Sequence, residues 1–142
     1  MQAAQSIFVL NRLLARLCRS LPAYLADGFP WHRPGDHRGL SVLKQIIADQ
    51  QAMAARVAEA VLDRRGAPDT GEFPMEFTDT QFLSLDFLVQ EVIHYQRQDI
   101  TATERCVREL SGDRAAREVA EEALGQARAH LESLEELARQ PA

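Results

Sequence analysis

The stretch TQFLSLDFLVQEVIHYQRQDITATERCVRELSGDRAAREVAEEALGQARAHLESLEELA, residues 80–138, decides the fold of this chain. In its first half Phe82, Leu85, Val89, Val92, Ile93, Ile100, Val107 and Leu110 recur at helical spacing. In its second half Val119, Ala120, Ala123, Ala127, Leu131, Leu134 and Leu137 do the same. Such steps of three and four residues gather each set on one face of an α-helix. Between the halves, Ser111-Gly112-Asp113 leaves room only for a tight turn. Two helices, about 80–110 and 114–138, are therefore expected to fold back on each other as antiparallel neighbours. Thr78 or Asp79 is a suitable N-cap for the first of them.

Upstream, Leu43, Ile46, Ile47, Met53, Ala54, Val57 and Val61 mark a further helix over about 40–65. Gly66 is expected to close it as a left-handed C-cap, and Pro68 prevents continuation. At the N-terminal end Ile7, Leu10, Leu14, Leu17, Leu21 and Leu25, widened by Leu13 and Tyr24, predict a helix over about 4–26. Pro22 interrupts that pattern and predicts a kink, or an early end, near residues 18–21. Asp27-Gly28 stops the helix, and the loop from Gly28 to Gly39 places Phe29, Pro30 and Trp31 as a plug at one end of the bundle. The connection from Ala67 to Phe77 is long and apolar. A dozen extended residues reach close to ~40 Å, the length of a helix of about 25 residues. The fold class is thus all-α, a single antiparallel four-helix bundle over residues 1–142. Its second and third helices are joined either by a crossover spanning the bundle or, in the plain up-down-up-down alternative, by a short-range loop.

Composition agrees with this. The chain is 46% hydrophobic and 26% charged, with only 6% aromatic residues, and Leu, Ala, Glu, Arg and Gln favour helix. At 142 residues it buries enough surface to need neither disulfide nor metal. The two cysteines, Cys18 and Cys106, fall within helical stretches and read as small hydrophobes in a reducing, cytoplasmic compartment. No apolar run is long enough to span a membrane. The net charge of −5 argues against nucleic acid as a partner. Charge is nonetheless uneven. Residues 1–26 contain Arg12, Arg16 and Arg19 but no acid, whereas residues 113–139 carry seven acids against four arginines. Helices of opposite sign suit each other as neighbours in a bundle, but surface charges of this kind contribute little stability.

Four sets of residues invite a functional reading. Glu91 and His94, three apart on the third helix, form a Glu-x-x-His pair. The helical wheel places them about 150° from the centre of the core stripe, facing outward. Gln50, Gln96 and His130 do fall on inward faces, and a hydrogen-bonded network joining them is expected to satisfy their polar groups and fix the helix register. The loop containing His32, Asp36 and His37 offers metal-ligand types without informative spacing. Leu83, Phe87 and Tyr95 make the third helix apolar on its outer side as well. They need covering, either by Phe73, Met75 and Phe77 of the crossover or by a second subunit in a homodimer. The serines have no adjacent base, and no phosphate-cradling loop follows a strand.

Four helices with a short last turn and a long middle connection, together with Glu91-x-x-His94, resemble the ferritin-like superfamily, whose carboxylate-bridged metal centres use such pairs. The resemblance implies iron or another divalent metal as cofactor, an oxidoreductase or metal-binding role, and Glu91, His94 and His130 as ligands. The sequence departs from that pattern. Its first helix has no acid before Asp27, the residue three before His130 is Ala127, and there is no second Glu-x-x-His. The leading expectation is therefore a non-enzymatic structural or interaction module, without cofactor, that self-associates through its third helix. A ferritin-like protein with a degenerate metal site is the alternative.

Overall fold

A computed structural model describes residues 2–26, 37–82 and 84–140, with the side chains of all of these except 81 and 82. The described residues form α1 (Ala3–Cys18), α2 (Leu21–Leu25), α3 (His37–Asp63), a 3₁₀ segment (Met75–Phe82), α4 (Leu85–Glu109) and α5 (Arg114–Arg139), and no strand. The four long helices pack antiparallel, each burying one apolar stripe as the periodicity requires. The expected plug at Phe29 to Trp31, the Asp27-Gly28 stop and the metal-ligand types His32 and Asp36 lie outside the described residues, as does Leu83.

Of three notable helix boundaries, one falls where the sequence places it and two differ from it, each for a local reason. The first helix breaks after Cys18, within the stretch where Pro22 predicts a kink or an early end. Ser20 adopts an extended conformation and caps α2, accepting a hydrogen bond from the Ala23 amide at 3.2 Å, with Pro22 in the first turn. Proline costs nothing there, because that amide has no helical partner. The third long helix starts at Leu85 rather than near 80, with Ser84 at its N-cap. Thr78 and Asp79 instead belong to the 3₁₀ segment, where Thr80 Oγ1 donates to the Phe77 carbonyl at 2.6 Å. Finally, α3 ends in a left-handed residue one place earlier than expected: Arg65 has φ +62°, and Gly66 does not. The Gly66 amide then reaches the Val61 carbonyl at 3.0 Å and the Arg65 amide reaches Leu62 at 2.9 Å, the bonding pattern of a Schellman cap. Gly66 is required for a different reason, since a Cβ there would lie 2.8 Å from Cγ2 of Ile7.

Helix directions follow from contacts between side chains. Ser20 meets Gln50 while Gly66 meets Ile7, so α1 and α3 are antiparallel. Cys106 meets Val9 while Asp99 meets Arg16, so α1 and α4 are antiparallel too. Both α3 and α4 therefore run the same way, at diagonal corners, and Gly39 near the start of α3 lies against Leu85 at the start of α4. The chain must cross the full length of the bundle between them. It does so along α1. Asn11 donates to the Ala67 carbonyl and accepts from the Asp69 amide, and Arg19 donates to the Gly71 carbonyl and to Thr70 Oγ1. Gly71, at φ +69°, passes so close to Ala15 that a Cβ would sit 3.0 Å from its Cβ. Phe73 and Phe77 then close over Tyr24 and Tyr95.

The helices of opposite net sign are not the ones paired most closely. α1 and α5 occupy diagonal positions, and α1 spends its arginines on α4: Arg12 pairs with Glu109 and Arg16 with Asp99. Acids of α5 pair with Arg56 of α3 and Arg97 of α4, and Asp113, at the N-cap of α5, pairs with Arg64 just past the end of α3.

Candidate functional site

The apolar interior is divided in two. One cluster joins Leu10, Leu14, Val57, Leu110 and Ala120 toward one end of the bundle; another joins Leu21, Leu43, Phe77, Leu88 and Leu134 toward the other. Between them lies a layer to which all four long helices contribute polar side chains. Arg16 comes from α1, Asp49 and Gln50 from α3, Gln96, Asp99 and Thr103 from α4, and Gln126 and His130 from α5. All but Asp49 line a cavity of about 20 Å³. That volume holds roughly one water-sized group.

Gln50, Gln96 and His130 are all buried and border this cavity, yet they do not bond to one another as expected. Gln50 Oε1 accepts from Ser20 Oγ at 2.7 Å, Gln96 Nε2 donates to the Ala127 carbonyl at 3.0 Å, and His130 Nε2 lies 2.8 Å from Asp49 Oδ2. Each side chain thus ties its helix to a different neighbour. The partners were illegible from periodicity. Ser20 is positioned by the Pro22 break, and Asp49 sits beside the core stripe, where a helical wheel leaves it at the margin.

Asp99 is the residue that sequence reasoning missed. Its side chain is only 18% exposed and accepts one bond from Arg16 Nη1 at 3.2 Å. Burial pushes its pKa up to about 6, against the opposing pull of Arg16. The carboxyl of Asp49 is held below its ordinary value by its bond to His130. Burial pushes both thiols, Cys18 and Cys106, up, away from the reactive thiolate form, and neither is in a disulfide.

The proposed metal-ligand set does not converge. His94 is exposed on α4, with its Nε2 3.1 Å from Gln98 Nε2, and Glu91 is half-buried near the Tyr95 hydroxyl, whose pKa burial and the charges of Glu76 and Glu91 raise. His130 is engaged with Asp49 on the α3–α5 side. Among the described residues no three His, Cys, Asp or Glu side chains come together as metal ligands. His37, the one described member of the loop set, is exposed at the first position of α3.

The expected interface residues separate as well. Tyr95 is covered within the chain by Phe77, whose ring centroid lies 5.0 Å away. Phe87 remains 66% exposed, and Met75, expected to form part of the cover, is itself 85% exposed. Among the described residues no helix is long and apolar enough to cross a membrane. Compared with protein families, curated proteins and solved structures, the chain matches none.

Proposed function

We propose that this chain acts by contact and not by catalysis: a helical-bundle interaction module that self-associates through the outer face of α4. The observation that carries this reading is the chemistry of the mid-bundle layer. Its inward groups are three amides, a threonine hydroxyl bonded back to its own helix, a histidine already bonded to Asp49, and one aspartate held by Arg16, around a space for one water-sized group. Such a layer is suited to aligning helices. It offers no nucleophile with an adjacent base and no room for a substrate. The exposed Phe87 then supplies the apolar centre of a contact, with His94 and Gln98 on the same face.

Sedimentation velocity across a hundredfold range of concentration tests the reading. A dimer that Phe87→Ser converts to monomer, with the helical circular dichroism retained, is the expected result. A strict monomer at every concentration, or a dimer indifferent to Phe87→Ser, ends it.

The ferritin-like alternative draws on two observations: the crossover connection, and polar side chains from all four helices meeting at mid-bundle, where that superfamily places its metals. On that reading Gln50 and Gln96 stand where carboxylates would be needed, and the metal site is degenerate. Elemental analysis after incubation with iron, zinc and manganese separates the two. Near-stoichiometric metal lost in His130→Gln supports the alternative, and metal-free folded protein removes it.

A further inference from the structure

A second concavity, of about 540 Å³, opens between α1 and α4 on the surface of the bundle. Its existence follows from residue size. Ala15 on α1 and Ala102 and Cys106 on α4 are among the residues that line it, and such small side chains leave space where larger ones would fill it. Four arginines border the trough: Arg12 and Arg16 from α1, Arg105 and Arg108 from α4. Only two acids answer them. Glu109 accepts from Arg12 at 2.5 Å and from Arg105 at 2.7 Å, and Asp99 accepts from Arg16 at 3.2 Å. Arg108 has no ion-pair partner among the described residues. Four positive charges thus line the trough against two acids that pair with them, a local excess of two, on a chain whose net charge is −5.

We propose that this trough is a binding site for a small organic dianion, a phosphate monoester or a dicarboxylate. The volume lies within the ordinary range for small-molecule sites, about 300–1,000 Å³. Guanidinium groups match both phosphate and carboxylate oxygens through paired N–H donors. Arg12 and Arg16 are already held in place by Glu109 and Asp99, so their remaining donors need little ordering on binding. Arg108, exposed and without an ion-pair partner among the described residues, and Arg105, exposed and sharing Glu109 with Arg12, supply the excess charge. Ala15 and Ala102 in the lining offer apolar contact to the carbon skeleton of such a ligand. The excess of two charges matches a dianion. A concentrated acidic protein surface or a nucleic acid would need a basic area wider than this one trough.

The test is a titration of the full chain with inorganic phosphate, pyrophosphate and succinate at low and physiological salt, followed by NMR of the backbone amides and arginine Nε–H groups. Saturable shifts confined to residues 12–16 and 98–108 are expected. Arg105→Ala with Arg108→Ala should weaken binding at least about tenfold, and the corresponding lysine pair by less, because lysine keeps the charge but loses the paired donors. Arg114→Ala with Arg117→Ala, which removes the same charge from α5, should leave binding unchanged. Pyrophosphate binding tighter than succinate marks a phosphate ligand, and the reverse order a dicarboxylate. Shifts spread evenly over exposed arginines, equal weakening by the two double-alanine variants, or no saturation overturns the proposal. Arg105, Arg108, Arg114 and Arg117 are all exposed, so each variant is expected to retain its melting temperature within a few degrees.

Discussion

Replacing Asp99 with asparagine removes a charge from the middle of the bundle while keeping the shape of the side chain. In the unfolded chain this carboxyl titrates near 3.8, and in the folded protein burial pushes it up to about 6. The folded state therefore binds its proton more tightly, and stability falls as pH rises from 3.8 through 6, then levels off. At pH 7.5 the charged form weighs on the fold by up to about 3 kcal/mol relative to the neutral form. An uncharged amide at this position resembles that neutral form, so Asp99→Asn is expected to be more stable than the parent at pH 7.5 by about 1.5–3 kcal/mol. For a chain of this length the gain corresponds to roughly 5–10 °C in Tm. Below pH 4 the two proteins should melt together. Asp49, Glu109 and Asp113 have lowered pKa values and titrate with the opposite slope, but they are present in both proteins and cancel in the difference. His130 borders the same cavity, so the comparison is repeated in a His130→Gln background, where the difference should persist. Urea unfolding at pH 4, 5, 6 and 7.5 reads it directly. A variant less stable than the parent at pH 7.5, or a difference that does not change with pH, would refute the argument. The first result would mean that Arg16 stabilises the carboxylate by more than burial costs it, and the second that the two effects cancel.

At the far end of the bundle Arg64 grips Asp113 through two bonds of 2.8 Å, with both side chains less than a fifth exposed, while Asp113 also caps α5 by accepting from the Ala116 amide. Arg64→Ala should cost about 2 kcal/mol and Asp113→Ala about 3, because the latter also loses the cap; equal losses in urea unfolding would count against the capping role. Arg64 holds the Asp113 carboxyl well below the usual range, so this contribution is present above pH 4 and is lost as pH falls further. Acid titration of Asp113→Ala should accordingly show a shallower loss of stability than the parent. The left-handed Arg65 predicts that Arg65→Gly raises stability by about 0.5–1 kcal/mol, whereas Gly66→Ala lowers it by pressing on Ile7. Opposite signs at adjacent positions in thermal melts are the expected signature, and equal signs would contradict the cap geometry.

The fold was legible because helical periodicity reports burial directly. Leu10, Leu14, Leu43, Ile46, Val57, Val89 and Val92 are all in the core where their spacing placed them. Boundaries were less legible because they depend on tertiary partners. Nothing in Thr78 or Asp79 says that Phe77 will be drawn onto Tyr24 and Tyr95, turning the segment into a 3₁₀ run before Ser84 can cap the helix. The polar layer was half legible. Gln50 and Gln96 stood out as amides at the centre of apolar stripes, but their partners come from other helices, and a wheel drawn for one helix cannot supply them. Asp99 was illegible for the same reason. It lies at the edge of its own stripe, and its burial comes from α1 packing across it. Charge asymmetry carried little, since opposite net signs on the first and last helices say nothing of which corner each will occupy.

The layer also separates two residues that sequence treats alike. Gln50 and Gln96 have similar burial and the same side chain, so a hydrophobicity argument predicts the same response to leucine. Their partners differ. Gln96 donates to a backbone carbonyl within α5, so Gln96→Leu removes the donor and leaves no buried hydroxyl behind. Gln50 accepts the proton of Ser20 Oγ, a buried hydroxyl, so Gln50→Leu leaves that hydroxyl stranded. A stranded buried donor costs about 1–3 kcal/mol, and leucine burial offsets only part of that. Gln50→Leu should therefore be the more destabilising change by at least about 1 kcal/mol. Ser20→Ala in the Gln50→Leu background should recover a good part of the loss, although alanine also gives up the α2 cap. If instead the two leucine variants unfold at the same urea concentration, the hydroxyl is not paired as described, and the bond that joins α3 to the start of α2 is not what aligns them.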